Sequence, residues 1–503
     1  MKKIKFVNLL IATGLSVPTM ICAQSHNYWA RSFNEESSLL SGAVVGGGSG
    51  PTSIYYNPAN ISEVKASSLS VNASLFSFDF INRKNALGEG VNLNASEANV
   101  EPRFLSYMIK GKKHPDWSFE IAYLNNENLK VEMTESVDKN IDILSQTPGM
   151  ERYFAIYRYN DNFRDDWICL GGSVKLNDRF FIGLGIYIIV KSLNYSNAID
   201  IEAYSTNDSV GSQYYPNSLA VYQDYQYLKF NDYRLNGKLG ITYKTETFSI
   251  GMTFNSPSVG GIYSDGKREI HKESQINIYD PETGEPVPSY TIIDFKEMSD
   301  MDVSFKTPFS IAAGFTYQLA DGKRTFFTSM EYFSGLDPYR MVEAEESDNI
   351  ASGSGFNDLI YTEWLTFVSG ARPVFNVAVG YSWTLKKDLL LMAGFRTDFN
   401  YYKNLDLGEF TEYNKVENLN LDLYYITCGL SWNVLGQDII TGLQYTVGRS
   451  KDQKQIANLS DPVEYSPLEN LPLQGDRSNN MISLFNAISI YFGASFNFDG
   501  EGK

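Results

Sequence analysis

The chain has 503 residues, with 42 Lys and Arg against 59 Asp and Glu, a formal charge of −17 at pH 7 and 14% aromatic residues. So acidic a chain offers no basic stripe to nucleic acid. Its three cysteines and three histidines are too scattered to make a Cys/His metal centre.

Lys2, Lys3 and Lys5 precede a short apolar run from Phe6 to Val17, and Ile21-Cys22-Ala23 ahead of Gln24 offers a cleavage point after Ala23. Residues 1–23 therefore read as a signal peptide, and the bulky Ile21 argues against lipoprotein processing at Cys22. Removing three lysines takes the formal charge from −17 to −20. Beyond residue 23 no apolar run is long enough for a spanning helix, so a membrane form of this chain must be a barrel. Cys169 and Cys428 lie in strand-like stretches and read as free buried thiols. His26, His114 and His271 read as surface residues.

Next comes Ser41 to Ile61, glycine-rich and closing on Ile54-Tyr55-Tyr56-Asn57-Pro58-Ala59. Glycines permit close backbone approach, and Asn-Pro is a turn signal. A phosphate-binding loop is excluded: no Gly-Lys-Ser/Thr follows, and no basic residue occurs between Arg31 and Lys65.

From there on the chain alternates with period two. Trp117, Phe119, Ile121 and Tyr123 make one apolar row; Phe309, Ile311, Ala313, Phe315 and Tyr317 make another; Ile488, Ile490 and Phe492 belong to a third. The opposite faces are small or polar, and Gly183, Gly185, Gly240, Gly251, Gly314, Gly380, Gly394, Gly429, Gly442 and Gly493 fall on them. A soluble sandwich gains little from glycine on a wet face, whereas a membrane barrel turns its apolar rows to lipid and its small residues to the lumen. Short gaps such as Asn177-Asp178 and Thr245-Glu246 alternate with long ones. The pattern predicts an all-β fold, a 14-stranded antiparallel transmembrane β-barrel over residues 67–498 with a tail at 499–503. Lys191, Lys238 and Arg396 face inward, as candidates to bind a substrate carboxylate or as partners of Glu120, Glu331 or Asp398. Residues 356–367 are apolar enough to cover the mouth.

Secretion, the Ser53-Ile54-Tyr55-Tyr56-Asn57-Pro58-Ala59 segment behind Ser41-Gly42-Ala43, and the strand pattern together resemble the FadL-type outer-membrane transporters of long-chain fatty acids and other hydrophobic compounds. The motif spans about twenty residues, and it departs from the family where Ser49-Gly50 replaces an acidic pair and where Asn60 replaces glycine. The resemblance implies a hatch over residues 24–66, with Tyr55, Tyr56, Asn57, Pro58 and Ala59 inside it, plugging the lumen of a monomeric barrel among outer-membrane lipid and lipopolysaccharide. It implies a capture groove in the loops after strands five and seven, here 194–226 and 258–302, which makes Tyr204, Tyr214, Tyr215, Tyr222 and Tyr225 candidate ligand contacts. It also implies a lateral opening at a kink in strand three, where alternation breaks at Asn125-Asn126; strand termination is the simpler reading of that break. The expected function is passive uptake of a hydrophobic small molecule, without cofactor or metal. Barrels of this kind that shuttle protein cargo in type IX secretion supply the alternative. An enzyme is not expected, since no Gly-x-Ser-x-Gly elbow is present.

Overall fold

The structure, a computed structural model, describes residues 26–495 apart from 278–289, 345–364, 406–416, 464–472 and scattered shorter stretches. The leader, the tail and most of the apolar stretch 356–367 lie outside the described residues.

The strands are β1 (Ser68–Asn72), β2 (Leu75–Lys84), β3 (Leu93–Glu101), β4 (Phe104–Lys110), β5 (Trp117–Ile141), β6 (Glu151–Lys175), β7 (Phe180–Ser205), β8 (Ser209–Val210), β9 (Gln213–Tyr214), β10 (Leu219–Lys244) and β11 (Phe248–Asn255). They continue with β12 (Val259–Asn277), β13 (Tyr290–Val303), β14 (Ser310–Gln318), β15 (Arg324–Phe333), β16 (Leu336–Glu343), β17 (Phe367–Ala371), β18 (Val374–Lys386), β19 (Leu389–Asp398), β20 (Leu423–Val434), β21 (Gln437–Gln453) and β22 (Met481–Ser495). All except the small β8–β9 hairpin join one sheet of 20 segments.

The sheet closes. Antiparallel ladders run from β4 through β5, β6, β7 and β10, then divide into two tiers. One tier passes through β11, β14, β15 and β18 at the end where the tight turns gather; the other passes through β12, β13, β16 and β17 towards the long connections. The turn-end tier continues through β19, β20, β21 and β22 to β2, which pairs with β3, the segment just ahead of β4. With β1, the segment just ahead of β2, paired to β4, ladders among the described residues pass round the whole ring, and a closed sheet is the one geometry besides a helix that satisfies backbone groups inside a membrane.

The predicted apolar rows point outward. Phe119, Ile121, Leu184, Leu239, Ile250, Phe315, Phe375, Ile426 and Ile490 are all exposed, from strands all around the ring, and form a belt of the kind that faces hydrocarbon. Cys428 sits on this outward face, exposed, contrary to its reading as a buried thiol. Leu184→Arg is expected to lower stability in lipid by about 2–4 kcal/mol, whereas Arg158→Ala, further along the wall, changes it little; denaturant titration of the barrel refolded in vesicles measures both.

The stretches 194–226 and 258–302, expected as loops, are largely wall instead. β7 runs to Ser205, β10 starts at Leu219, and β12 and β13 fill much of the second stretch. The reason is visible in β6. Its even-numbered face carries Arg152, Arg158, Asn160, Asn162, Arg164 and Asp166, with Phe154 and Ile156 among them, before it becomes Ile168 and Leu170, while its odd face buries Tyr153, Ala155, Tyr157, Tyr159 and Phe163. Alternation continues there with the opposite polarity, as in a water-soluble barrel, and so it does not look like a membrane strand. Twenty-five residues at ~3.3 Å each and a ~40° tilt reach about 60 Å, more than twice the ~25 Å apolar band of such barrels.

Residues 26–63 thread the inside. The short helix Glu35–Leu39, capped by a reciprocal Asn34 and Ser37 pair, touches β19, β20, β21 and β22, while the turn Pro58–Glu63 touches β5, β6, β7 and β10. Only a segment in the lumen reaches both sides of the ring. The described start of the segment lies towards the long connections: Asn27 Nδ2 donates to Asp398 O at 2.7 Å, at the far end of β19, and to Leu421 O at 3.1 Å, just ahead of β20.

Candidate functional site

The inward glycines form the socket for this segment. A Cβ on Gly183 would lie 2.2 Å from Pro58 C, one on Gly251 2.1 Å from Val45 O, one on Gly314 2.4 Å from Gly46 N, and one on Gly442 2.2 Å from a Leu39 methyl. A side chain at any of these four positions would occupy space the segment fills. In the motif, Asn57 is fully buried: its Nδ2 donates to Val45 O and Thr242 Oγ1, both at 2.9 Å, and its Oδ1 accepts from Ala59 N at 3.1 Å. Pro58 and Ala59 are buried, as is Tyr56, and Tyr187 Oη donates to Ile54 O at 2.6 Å.

Above the segment, towards the long connections, lies a cavity of about 220 Å³. Aromatic rings dominate it: Tyr28, Trp29 and Tyr55 from the N-terminal segment, Trp167, Phe230, Phe305, Phe333 and Tyr401 from the wall. Lys191, Lys238 and Arg396 all line it. Lys191 pairs with Asp165 at 3.0 Å, with its ammonium 4.7 Å from the Phe305 ring. Arg396 donates to Ser32 Oγ at 2.6 Å and lies 3.9 Å over the Tyr425 ring. Lys238 donates to the Tyr55 carbonyl and sits 4.8 Å over the Tyr55 ring. No salt bridge among the described residues joins the three cations to Glu120, Glu331 or Asp398, the carboxylates expected from the sequence, although Lys238 interacts through charge with Glu331 and Arg396 with Asp398. Glu331 instead accepts from Trp29 Nε1 at 2.7 Å and Ser310 Oγ at 2.5 Å. Lys238 thus sits in an aromatic setting with a neutral oxygen as its hydrogen-bond partner, an arrangement most readily improved by a carboxylate.

Asn125-Asn126 does not end its strand. β5 continues to Ile141, and the register against β6 shifts between Asn125 and Glu127, so Asn126 is the extra residue of a bulge. Bulging lets Asn126 line the cavity. Its Nδ2 donates to Asp165 Oδ2 at 2.8 Å, and its Oδ1 accepts from Tyr55 Oη at 3.4 Å. A hydrogen-bonded chain therefore runs from Tyr55 through Asn126 and Asp165 to Lys191. Beside it, among the described residues, no ladder joins β3 to β5: β3 pairs with β2, and β5 beyond Leu124 pairs with β6 alone.

Of the tyrosines expected in a capture groove, Tyr204, Tyr222 and Tyr225 stand apart from this cavity. Tyr204 is in β7 against Leu219, while Tyr222 and Tyr225 are in β10 against Ile201 and Ala198. Tyr214 is in β9, and Tyr215 lies outside the described residues. His26 is not a surface residue; it lines the cavity with its ring edge-on to Tyr401 and Tyr402. Trp167, Tyr187 and Asp165 went unnoticed in the sequence, although inward parity marks each one, being bulky or acidic on a face of small residues.

No family model and no curated protein matches the chain. Solved structures do. It is similar to the Pseudomonas putida toluene transporter TodX, with 13% identity over 93% of this chain and 99% of that one at a TM-score of 0.51, and to a Pseudomonas aeruginosa FadL homologue, with 10% identity over 92% and 99% at a TM-score of 0.50. The chain shares the FadL-type barrel fold. Within that fold the glycine socket and the Asn57 contacts are this chain's own geometry, read from its own residues.

Proposed function

We propose that this FadL-type barrel lies in a bacterial outer membrane and lets hydrophobic small molecules through passively, above all amphiphiles with a carboxylate such as long-chain fatty acids. The observation that carries the reading is the aromatic cavity directly over the glycine-seated segment, with the Lys238 ammonium at its floor. An apolar protein cavity of about 150 Å³ already holds benzene, so about 220 Å³ accommodates an aromatic ring or the head and first carbons of a chain. The N-terminal segment serves as the hatch below. The chain from Tyr55 to Asn126 links any movement of that hatch to the bulge, and the unladdered side between β3 and β5 favours lateral release there. Protein shuttling fits less well, because the loop-end lumen is filled by a packed apolar core where cargo needs a wide opening.

The test is binding of dodecanoate and dodecanol by the purified protein in micelles. A hydrogen bond to a charged group contributes about 1.5–3 kcal/mol, so Lys238→Met is expected to weaken dodecanoate binding about 10- to 100-fold while leaving dodecanol within a factor of two or so. Equal loss of both ligands, or of neither, removes Lys238 from the site.

A further inference from the structure

The outer face of β6, β7 and β10 changes its chemistry above the belt, on the side of the long connections, which faces outward in such barrels. Its last aliphatic row is Ile168, Ile188 and Leu235, joined across the two ladders. Tyr123 pairs with Ile168, and Tyr233 stands just beyond Leu235, where tyrosines mark the edge of hydrocarbon. Four positions further along each strand Arg164, Ser192 and Asn231 share a row, and Asn162, Asn194 and Lys229 share the next outward row. A third follows with Asn160, Ser196 and Tyr227. The inward residues between them, such as Phe163, Leu193 and Phe230, are buried, while Arg164, Asn194 and Lys229 are exposed.

No carboxylate occurs in these rows, on a chain whose acidic residues outnumber its basic ones by 59 to 42. Acids stand to either side: Asn160 pairs with Glu132 of β5, and Asn231 and Tyr227 pair with Asp265 and Glu269 of β12. Asp166, just below, is held by Arg164 at 2.9 Å and by Asn125 Nδ2 at 2.7 Å. Lys229 lies directly opposite Lys267, and like charges so placed repel. Glu297 and Glu269 offset the charge of Lys267. Lys229 has no acidic partner among the described residues, and neither it nor Asn162, Asn194 or Asn231 makes a side-chain hydrogen bond among them. Lys229 and Arg164 are two strands and one row apart, about 10–12 Å along the wall, too far for one phosphate to touch both.

We infer that this field docks the phosphorylated glycan headgroup of a lipopolysaccharide in the outer leaflet. Its phosphates meet Lys229 and Arg164, and its sugar hydroxyls meet the amides and hydroxyls between them. Height selects the glycan. At ~3.3 Å per residue and a ~40° tilt the rows stand about 10–20 Å beyond the last aliphatic row, whereas a phospholipid headgroup layer adds only about 5–8 Å to the hydrocarbon on each side. The docking depends on the barrel's place in the outer membrane and not on what its cavity binds.

The test is native mass spectrometry of the delipidated barrel in micelles with EDTA, titrated with rough-type lipopolysaccharide or with phosphatidylglycerol. Arg164→Glu with Lys229→Glu is expected to weaken lipopolysaccharide binding about thirtyfold, the loss of about 2 kcal/mol over two basic residues, and to leave phosphatidylglycerol within a factor of two or so. Lys323→Glu, in the exposed tight turn between β14 and β15, is the control and changes neither. Asn162→Ala with Asn194→Ala keeps both charges and is expected to weaken lipopolysaccharide about fivefold. It carries the test if the charge variant does not assemble, assembly being read from the heat-dependent shift of the barrel on gels. Wild-type affinity for lipopolysaccharide in the assembled variants overturns the docking site. An equal loss of phosphatidylglycerol overturns the assignment to a glycan, as does a wild-type protein that holds the two lipids equally well.

Discussion

Valine at both Gly183 and Gly240 is expected to unseat the N-terminal segment from the wall while the barrel stays assembled. The two glycines face each other across the β7–β10 ladder. A Cβ on Gly183 would stand 2.2 Å from Pro58 C and 2.4 Å from Ala59 N; one on Gly240 would stand 2.2 Å from Asn57 Oδ1 and 3.0 Å from Ala59 N. Most of these obstacles are backbone, and the Asn57 side chain is pinned by its hydrogen bonds, so nothing there gives way by a rotamer change. Overpacking costs about 1–3 kcal/mol per site, and both costs fall on the same three residues. The wall bears none of that cost, because β-branched residues suit strands better than glycine does. The strain is therefore relieved by displacing the segment and not by opening the ladder. Limited proteolysis of the assembled barrel checks the outcome, with cleavage within residues 42–62 expected for the double variant and none for wild type. Gly237→Ala is the control: a Cβ there meets nothing nearer than Ser256 Oγ at 3.7 Å. An uncleaved segment in an assembled double variant would show that the glycines do not serve as a socket.

The same glycines mark how far the sequence could be followed. Their parity opposite the apolar rows was legible because alternation is a local property, and so the outward belt could be read from it. What the glycines touch was not legible, because Gly183 meets Pro58 and Gly442 meets Leu39 over sequence distances that no periodicity spans. The loop-end half of the wall was misread for a related reason. Arg152, Arg158 and Arg164 lie on the face that carries Ile168 and Leu170 lower down, and this change of polarity along one strand removes the signature of a membrane strand while leaving the strand intact. The inward charges were legible as inward but not as partnered, since Lys191 finds Asp165 on the neighbouring strand, Arg396 finds Ser32 in the N-terminal segment, and Lys238 finds a backbone carbonyl there.

Asn57→Ala is expected to leave the barrel assembled and loosen what fills it. The side chain makes three hydrogen bonds, two of them within the segment, to Val45 O and Ala59 N, and one to Thr242 on the wall. Truncation strands at least the Val45 carbonyl and the Ala59 amide in a site without water, at about 1–3 kcal/mol each. Thr242 keeps a partner, because its hydroxyl donates to Asn60 Oδ1 at 2.6 Å, so the damage is confined to the segment and every ladder bond of β10 survives. A local loss of about 2 kcal/mol speeds amide exchange within residues 42–62 about thirtyfold if the segment opens as a unit, with strand amides in β7 and β10 unchanged. Hydrogen exchange read peptide by peptide measures both. Glutamine does not rescue, since the Gly240 backbone already sits where a longer side chain must go. If the alanine variant fails to assemble at all, residues 26–63 are part of what folds the wall, and a movable hatch is no longer tenable.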